Sequence, residues 1–170
     1  MTKYQRYFVP ALLFLSCGLL SILIPGGPIE TRNFSQISLV VLGAFNTFLT
    51  ILGIVSILLI YFILQDRYWA FLSSELCGLG YFLVYALDLL KIFPVSPDPM
   101  SNTLYIIEIA GLIVSIPLMF YSGKGARAEV YGAGNKTKEP SAKTFVLVTA
   151  ILLLAGIGII IFATNAAMSK

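Results

Sequence analysis

The sequence contains no histidine, and charged residues make up only 11% of it. Without histidine there is no His-ligated haem, no His-type zinc site and no Ser-His or Cys-His catalytic pair. The scarcity of charge, with 58% hydrophobic residues and a mean hydropathy of +0.92, excludes a soluble domain, which could not carry so much apolar surface without exposing aggregating patches. The two cysteines, Cys17 and Cys77, form no CxxC pair and fall in apolar segments, where a thiol packs as a small hydrophobe. No cofactor is called for by any motif. A formal charge of +3 could point to nucleic acid, but the basic residues are interspersed with lipid-soluble runs and gather in one loop, so they read as topology signals.

What is present is a set of five apolar stretches, at about residues 7–25, 37–64, 68–91, 103–122 and 144–164. Each approaches or exceeds the roughly 18 residues that mark a spanning helix. The expected fold is all-α: one polytopic membrane domain over 1–170, a bundle of about five transmembrane helices. With the N-terminus inside, Lys3, Arg6, Arg67, Lys124, Arg127, Lys136, Lys138 and Lys143 fall on one side, and only Arg32, Lys91 and Lys170 on the other. That bias predicts a cytoplasmic N-terminus and an outer C-terminus. Residues 1–17 carry a basic start and a cysteine placed as in a lipoprotein cleavage site. The chain stays apolar after Cys17, however, so retention as a span is the expectation.

The outer connectors "PGGPIETRNFSQ" and "FPVSPDPMSN" are rich in turn residues and cannot continue a helix. Asn33-Phe34-Ser35 within the first fits a glycosylation acceptor. The inner segment 123–143, Gly-rich and basic, reads as a loop lying near anionic headgroups or docking a partner. "GAGNKT" lacks the glycine that a phosphate loop needs before its lysine, and no strand precedes it.

The remaining signal is positional. At about 100° per residue, Gly43, Asn46, Thr50 and Gly53 share one face of the second helix. In the third, Ser74, Cys77, Gly78, Tyr81, Tyr85 and Asp88 do so, with Glu75 on the flank. In the fourth, Glu108, Gly111, Ser115 and Ser122 line up, and more weakly Thr149, Gly156 and Ala163 in the fifth. Lipid offers no hydrophobic force between helices, so small residues and interhelical hydrogen bonds must form the seams; a polar pathway lined by the same residues is the alternative. Pro117, near Ser115, is expected to kink the fourth helix.

Glu75 sits near the middle of the third span and has no cation within a turn of its own helix. A central acidic residue costs roughly 2.5–3.5 kcal/mol to insert, and the apolar residues from Phe71 to Leu90 return about 3–5 kcal/mol, so the helix still inserts. The carboxyl should then be neutral or paired, and it forms a candidate intramembrane polar site with Asn46, Thr50, Tyr81 and Tyr85. Asp88, Lys91 and Glu108 are placed at similar depth as an outer-leaflet cluster, Lys91 standing at i+3 from Asp88. Glu75 and Asp88 lie about 20 Å apart by helical rise, too far for paired acid–base chemistry, so no enzyme is expected.

Two readings remain open. One is a non-catalytic integral subunit or assembly scaffold that packs against other membrane proteins or itself. The other is a small homo-oligomeric cation channel or proton-coupled carrier that uses Glu75.

Overall fold

A computed structural model describes residues 3–65, 67–130 and 142–168. Among these the chain is all-helical, with α1 at Lys3–Ile22, α2 at Leu39–Leu64, α3 at Tyr68–Leu89, α4 at Asn102–Val130 and α5 at Ala142–Met168. Four helices are long and apolar enough to span a membrane: Leu39–Leu64, Trp69–Leu89, Asn102–Arg127 and Val146–Met168. The apolar part of α1, Arg6–Ile22, is shorter. It stops before the expected residue 25 because Pro25 restricts Ile24 to extended backbone and opens a turn.

Local chemistry sets the other boundaries. Ser38 caps α2, its Oγ accepting from the Val41 N–H at 3.3 Å, and Ser101 does the same for α4 through Leu104 at 3.2 Å. α3 ends in a Schellman motif: the Lys91 N–H bonds the Asp88 carbonyl at 2.8 Å and the Ile92 N–H that of Leu87 at 2.9 Å. Lys91 takes the left-handed position there, with φ 56°.

α4 continues through Pro117 and through residues 123–130, eight residues of the segment expected to be a loop. Lys, Ala, Arg and Glu favour helix in this stretch. Its glycines are held by packing, Gly123 against the Glu75 carboxyl and Gly125 against the Phe71 ring. Of the rest of the expected headgroup-facing loop, residues 131–141, with Lys136 and Lys138, lie outside the described residues, and residues 142–143 open α5.

α3 and α4 share the most extensive helix interface. Among the described residues α1 packs on α2 and α4, whereas α5 packs on α2 alone of the helices. The seams run where the small and polar faces fall. Ser74, Cys77, Gly78, Tyr81, Tyr85 and Asp88 of α3 are all buried, as are Glu108, Gly111, Ser115 and Ser122 of α4. The Gly78 backbone meets Met119 and Leu118, and Gly111 meets the Tyr85 ring. The middle of the interior is closed by Leu13, Leu52, Tyr81 and Leu118, each no more than 7% exposed.

Candidate functional site: a buried charge cluster under the loop end

The α1–α2 connector folds back onto the ends of α3 and α4 and brings Arg32 into the bundle. The guanidinium is clamped from two sides. Its Nη1 and Nη2 donate to Asp88 Oδ1 and Oδ2 of α3 at 2.8 and 2.7 Å. Its Nε and Nη2 donate to Glu30 at 3.0 and 2.6 Å. Glu108 Oε1 of α4 lies 3.7 Å from Nη2, and the Phe34 ring centroid 5.3 Å from the guanidinium carbon. Glu30, Arg32, Asp88 and Glu108 are at most 9% exposed.

Burial alone would push the Arg32 pKa down. The hydrogen bonds from Asp88 and Glu30, with their negative charge, outweigh it and hold the pKa above its ordinary value. Arg32 therefore stays cationic throughout the physiological range, and its planar fork suits two carboxylates at once as an ammonium would not.

The connector is fixed by its neighbours as well. Asn33 N–H donates to Asp98 at 2.8 Å, Ser96 Oγ to the Asn33 carbonyl at 2.8 Å, and Gln36 Nε2 to the Val95 carbonyl at 2.6 Å. Phe34 N–H reaches the Ala167 carbonyl of α5 at 3.2 Å. The two connectors and three helix ends thus close one lid over the cluster.

Beneath the lid is a small chamber of about 50 Å³ lined by Glu30, Arg32, Tyr85, Asp88 and Glu108, with Asn46 at its edge. The Tyr85 hydroxyl and Glu108 Oε2 are buried there without a hydrogen-bond partner. Among the described residues no group of three or more Asp, Glu, His or Cys is placed to hold a metal ion.

Residues 5–144 match the family described as Domain of unknown function (DUF8051). The chain belongs to this family. Comparison with curated proteins and with solved structures returns no match. The family region takes in α1 to α4 and every residue of the charge cluster, while most of α5 lies beyond it.

The residues expected to form sites are distributed as follows. Asp88 and Glu108 do meet at one depth, but the cation between them is Arg32. Lys91 is exposed, because the helix has ended and its left-handed backbone turns away from the i+3 position. Arg32 was missed because a connector has no periodicity to read. The signal available was the pair Glu30 and Arg32, an acid–base couple in a loop between apolar spans.

Glu75 does not join Asn46, Thr50, Tyr81 and Tyr85. It is half-buried in a recess between α3 and α4, lined also by Phe82, Met119, Lys124 and Arg127. The cations absent from its own helix come from the extension of α4. Asn46 Nδ2 instead donates to Thr164 Oγ1 of α5 at 3.1 Å, and Thr50 Oγ1 to the carbonyl of Asn46 at 2.8 Å. Tyr81 shares a hydrogen bond of 2.9 Å with Ser56 of α2. Of the group, Tyr85 and Asn46 line the chamber at the charge cluster.

Asn46–Thr164 is a side-chain tie between α2 and the helix with the fewest partners. Asn46→Ala is expected to cost about 0.6 kcal/mol, up to about 1.7 kcal/mol, as interhelical hydrogen bonds in membranes do. Unfolding of detergent-purified protein in graded denaturant measures it, with protease sensitivity of α5 rising in parallel.

Proposed function

We propose that this chain is a non-catalytic, multi-pass integral membrane subunit whose work is to pack against other membrane proteins. The observation that carries the reading is how the interior polar groups are used. Asn46 is bonded to Thr164, Ser56 to Tyr81, and Arg32 to Glu30 and Asp88, so these groups tie one part of the fold to another. The charge cluster and the Glu75 recess lie about 20 Å apart by helical rise along α3, with the closed apolar layer between them. The surface available to partners is chiefly that of α5. Only 11% of its apolar window is buried, and α2 is its one helical neighbour.

Gentle extraction from native membranes with chemical crosslinking tests this. A stoichiometric companion crosslinked through α5 is expected. A monodisperse protein that crosslinks to nothing and conducts ions in liposomes overturns the reading. The competing assignment, a cation channel or carrier working through Glu75, gives a contrary expectation for one variant. On the subunit reading Glu75→Gln changes stability by no more than about 0.5 kcal/mol, as half-exposed positions do, and leaves partner capture intact. Ion flux that depends on Glu75 would favour the carrier instead.

A further inference from the structure

α1 and α5 both pack on α2 but not on each other. The gap between them is a cleft of about 140 Å³, floored by Thr50 and Gly53 of α2 and walled by Cys17 and Leu20 on one side and Gly156 and Ile159 on the other. This is close to the roughly 150 Å³ of an apolar cavity known to admit a benzene-sized guest, so the cleft takes roughly six carbons of a longer chain, whose remainder extends out along its open side. The cleft lies between helices that are apolar along their length, at membrane depth, so an occupant comes sideways from the bilayer.

The cleft adjoins the charged chamber. Leu20, Leu23, Pro25, Asn46 and Leu49 line both. The chamber's chemistry is one-sided. Its guanidinium is taken by Glu30 and Asp88, and Glu108, 1% exposed, stands beside both Arg32 and Asp88, which leaves Glu108 Oε2 and the Tyr85 hydroxyl as buried polar atoms of the lining without a partner. Against the single guanidinium stand the carboxyls of Glu30, Asp88 and Glu108, so the pocket carries an excess of acid. An anionic head is repelled there. A cationic group with N–H donors satisfies both unpartnered atoms. A volume of about 50 Å³ holds a group the size of an ammonium, since a water needs about 10–15 Å³ on the same measure.

We propose that cleft and chamber form one binding site for a membrane amphiphile with a single hydrocarbon chain and an amine head: the chain lies over α2 between α1 and α5, and the amine donates to Glu108 and Tyr85. This site stands whether or not the protein works with partner subunits.

Equilibrium binding to the detergent-purified full chain, with dodecylamine, dodecanol and dodecanoate as probes, tests the proposal. The amine is expected to bind about tenfold more tightly than the alcohol, because its hydrogen bonds are charge-assisted, and the acid least of all. Glu108→Gln should abolish the preference for the amine. Gly53→Leu, whose Cβ meets only Cys17 Sγ at 3.6 Å, should fill the cleft and weaken all three probes together. Equal binding of amine and alcohol overturns the proposal, as does a preference that survives in folded Glu108→Gln. Should that variant not fold, Tyr85→Phe decides, since it removes a hydroxyl with no protein partner. A several-fold loss of amine affinity at unchanged alcohol affinity supports the site, and unchanged amine affinity overturns it.

Discussion

Replacing Arg32 by methionine is expected to destabilise the protein by about 3–5 kcal/mol, the loss typical when one member of a buried ion pair is removed and its partners are left uncompensated. The guanidinium is 6% exposed and holds Asp88 and Glu30 through four hydrogen bonds of 3.0 Å or less. Without it, three carboxyl groups remain together beneath the lid, and the α1–α2 connector loses its attachment to α3. Arg32→Lys should recover little, because a single ammonium cannot meet two carboxylates with a bidentate fork. Neutralising the acids as well, with Glu30→Gln and Asp88→Asn in the Arg32→Met background, should return part of the loss, since it is the stranded charge that costs most. Denaturant titration in detergent reads all three proteins. A cost below about 1 kcal/mol for Arg32→Met, the range of an exposed pair, would show that the connector is solvated and the cluster open to water.

The helices were legible because a membrane makes their signal simple: long apolar runs ended by proline, glycine and charge. The seams were legible too. Ser74 to Asp88 on α3 and Glu108 to Ser122 on α4 lie on single sectors at helical periodicity, and they are the buried faces. What periodicity does not carry is the return of a connector across the end of the bundle. Hence periodicity matches Asp88 and Glu108 in depth and points to Lys91 as their cation, whereas the Schellman turn reverses the chain there and Arg32 of the connector takes the place. The neighbours of Glu75 escape the periodicity for a related reason. Glycine at 123 and 125 reads as loop by propensity, yet those positions are where α4 must pass close to Glu75 and Phe71. Tertiary packing outweighs a propensity of about 1 kcal/mol per glycine, and the helix it preserves delivers Lys124 and Arg127 to the recess.

Gly111→Val is expected to be as damaging as the loss of Arg32, and for the opposite reason. A Cβ at position 111 would overlap the Tyr85 ring, and Tyr85, 1% exposed and seated between α3 and the charged chamber, has nowhere to swing. Overpacking of this kind costs typically 1–3 kcal/mol, and more where the obstacle is a rigid buried ring. The helices must then separate, which also loosens the contact of Gly78 with Met119, where a Cβ would come within 2.8 Å of Met119 Cγ. Tyr85→Leu should partly rescue Gly111→Val by vacating the ring's space, and a double-mutant cycle measures that coupling. Additive losses would mean that α3 and α4 do not meet at these two residues. Valine is the more hydrophobic residue, so if burial of apolar surface held these helices together the substitution would be harmless or stabilising. In a bilayer the separated helices are solvated by lipid tails as apolar as their own side chains, and what is lost when the backbones part is close contact alone.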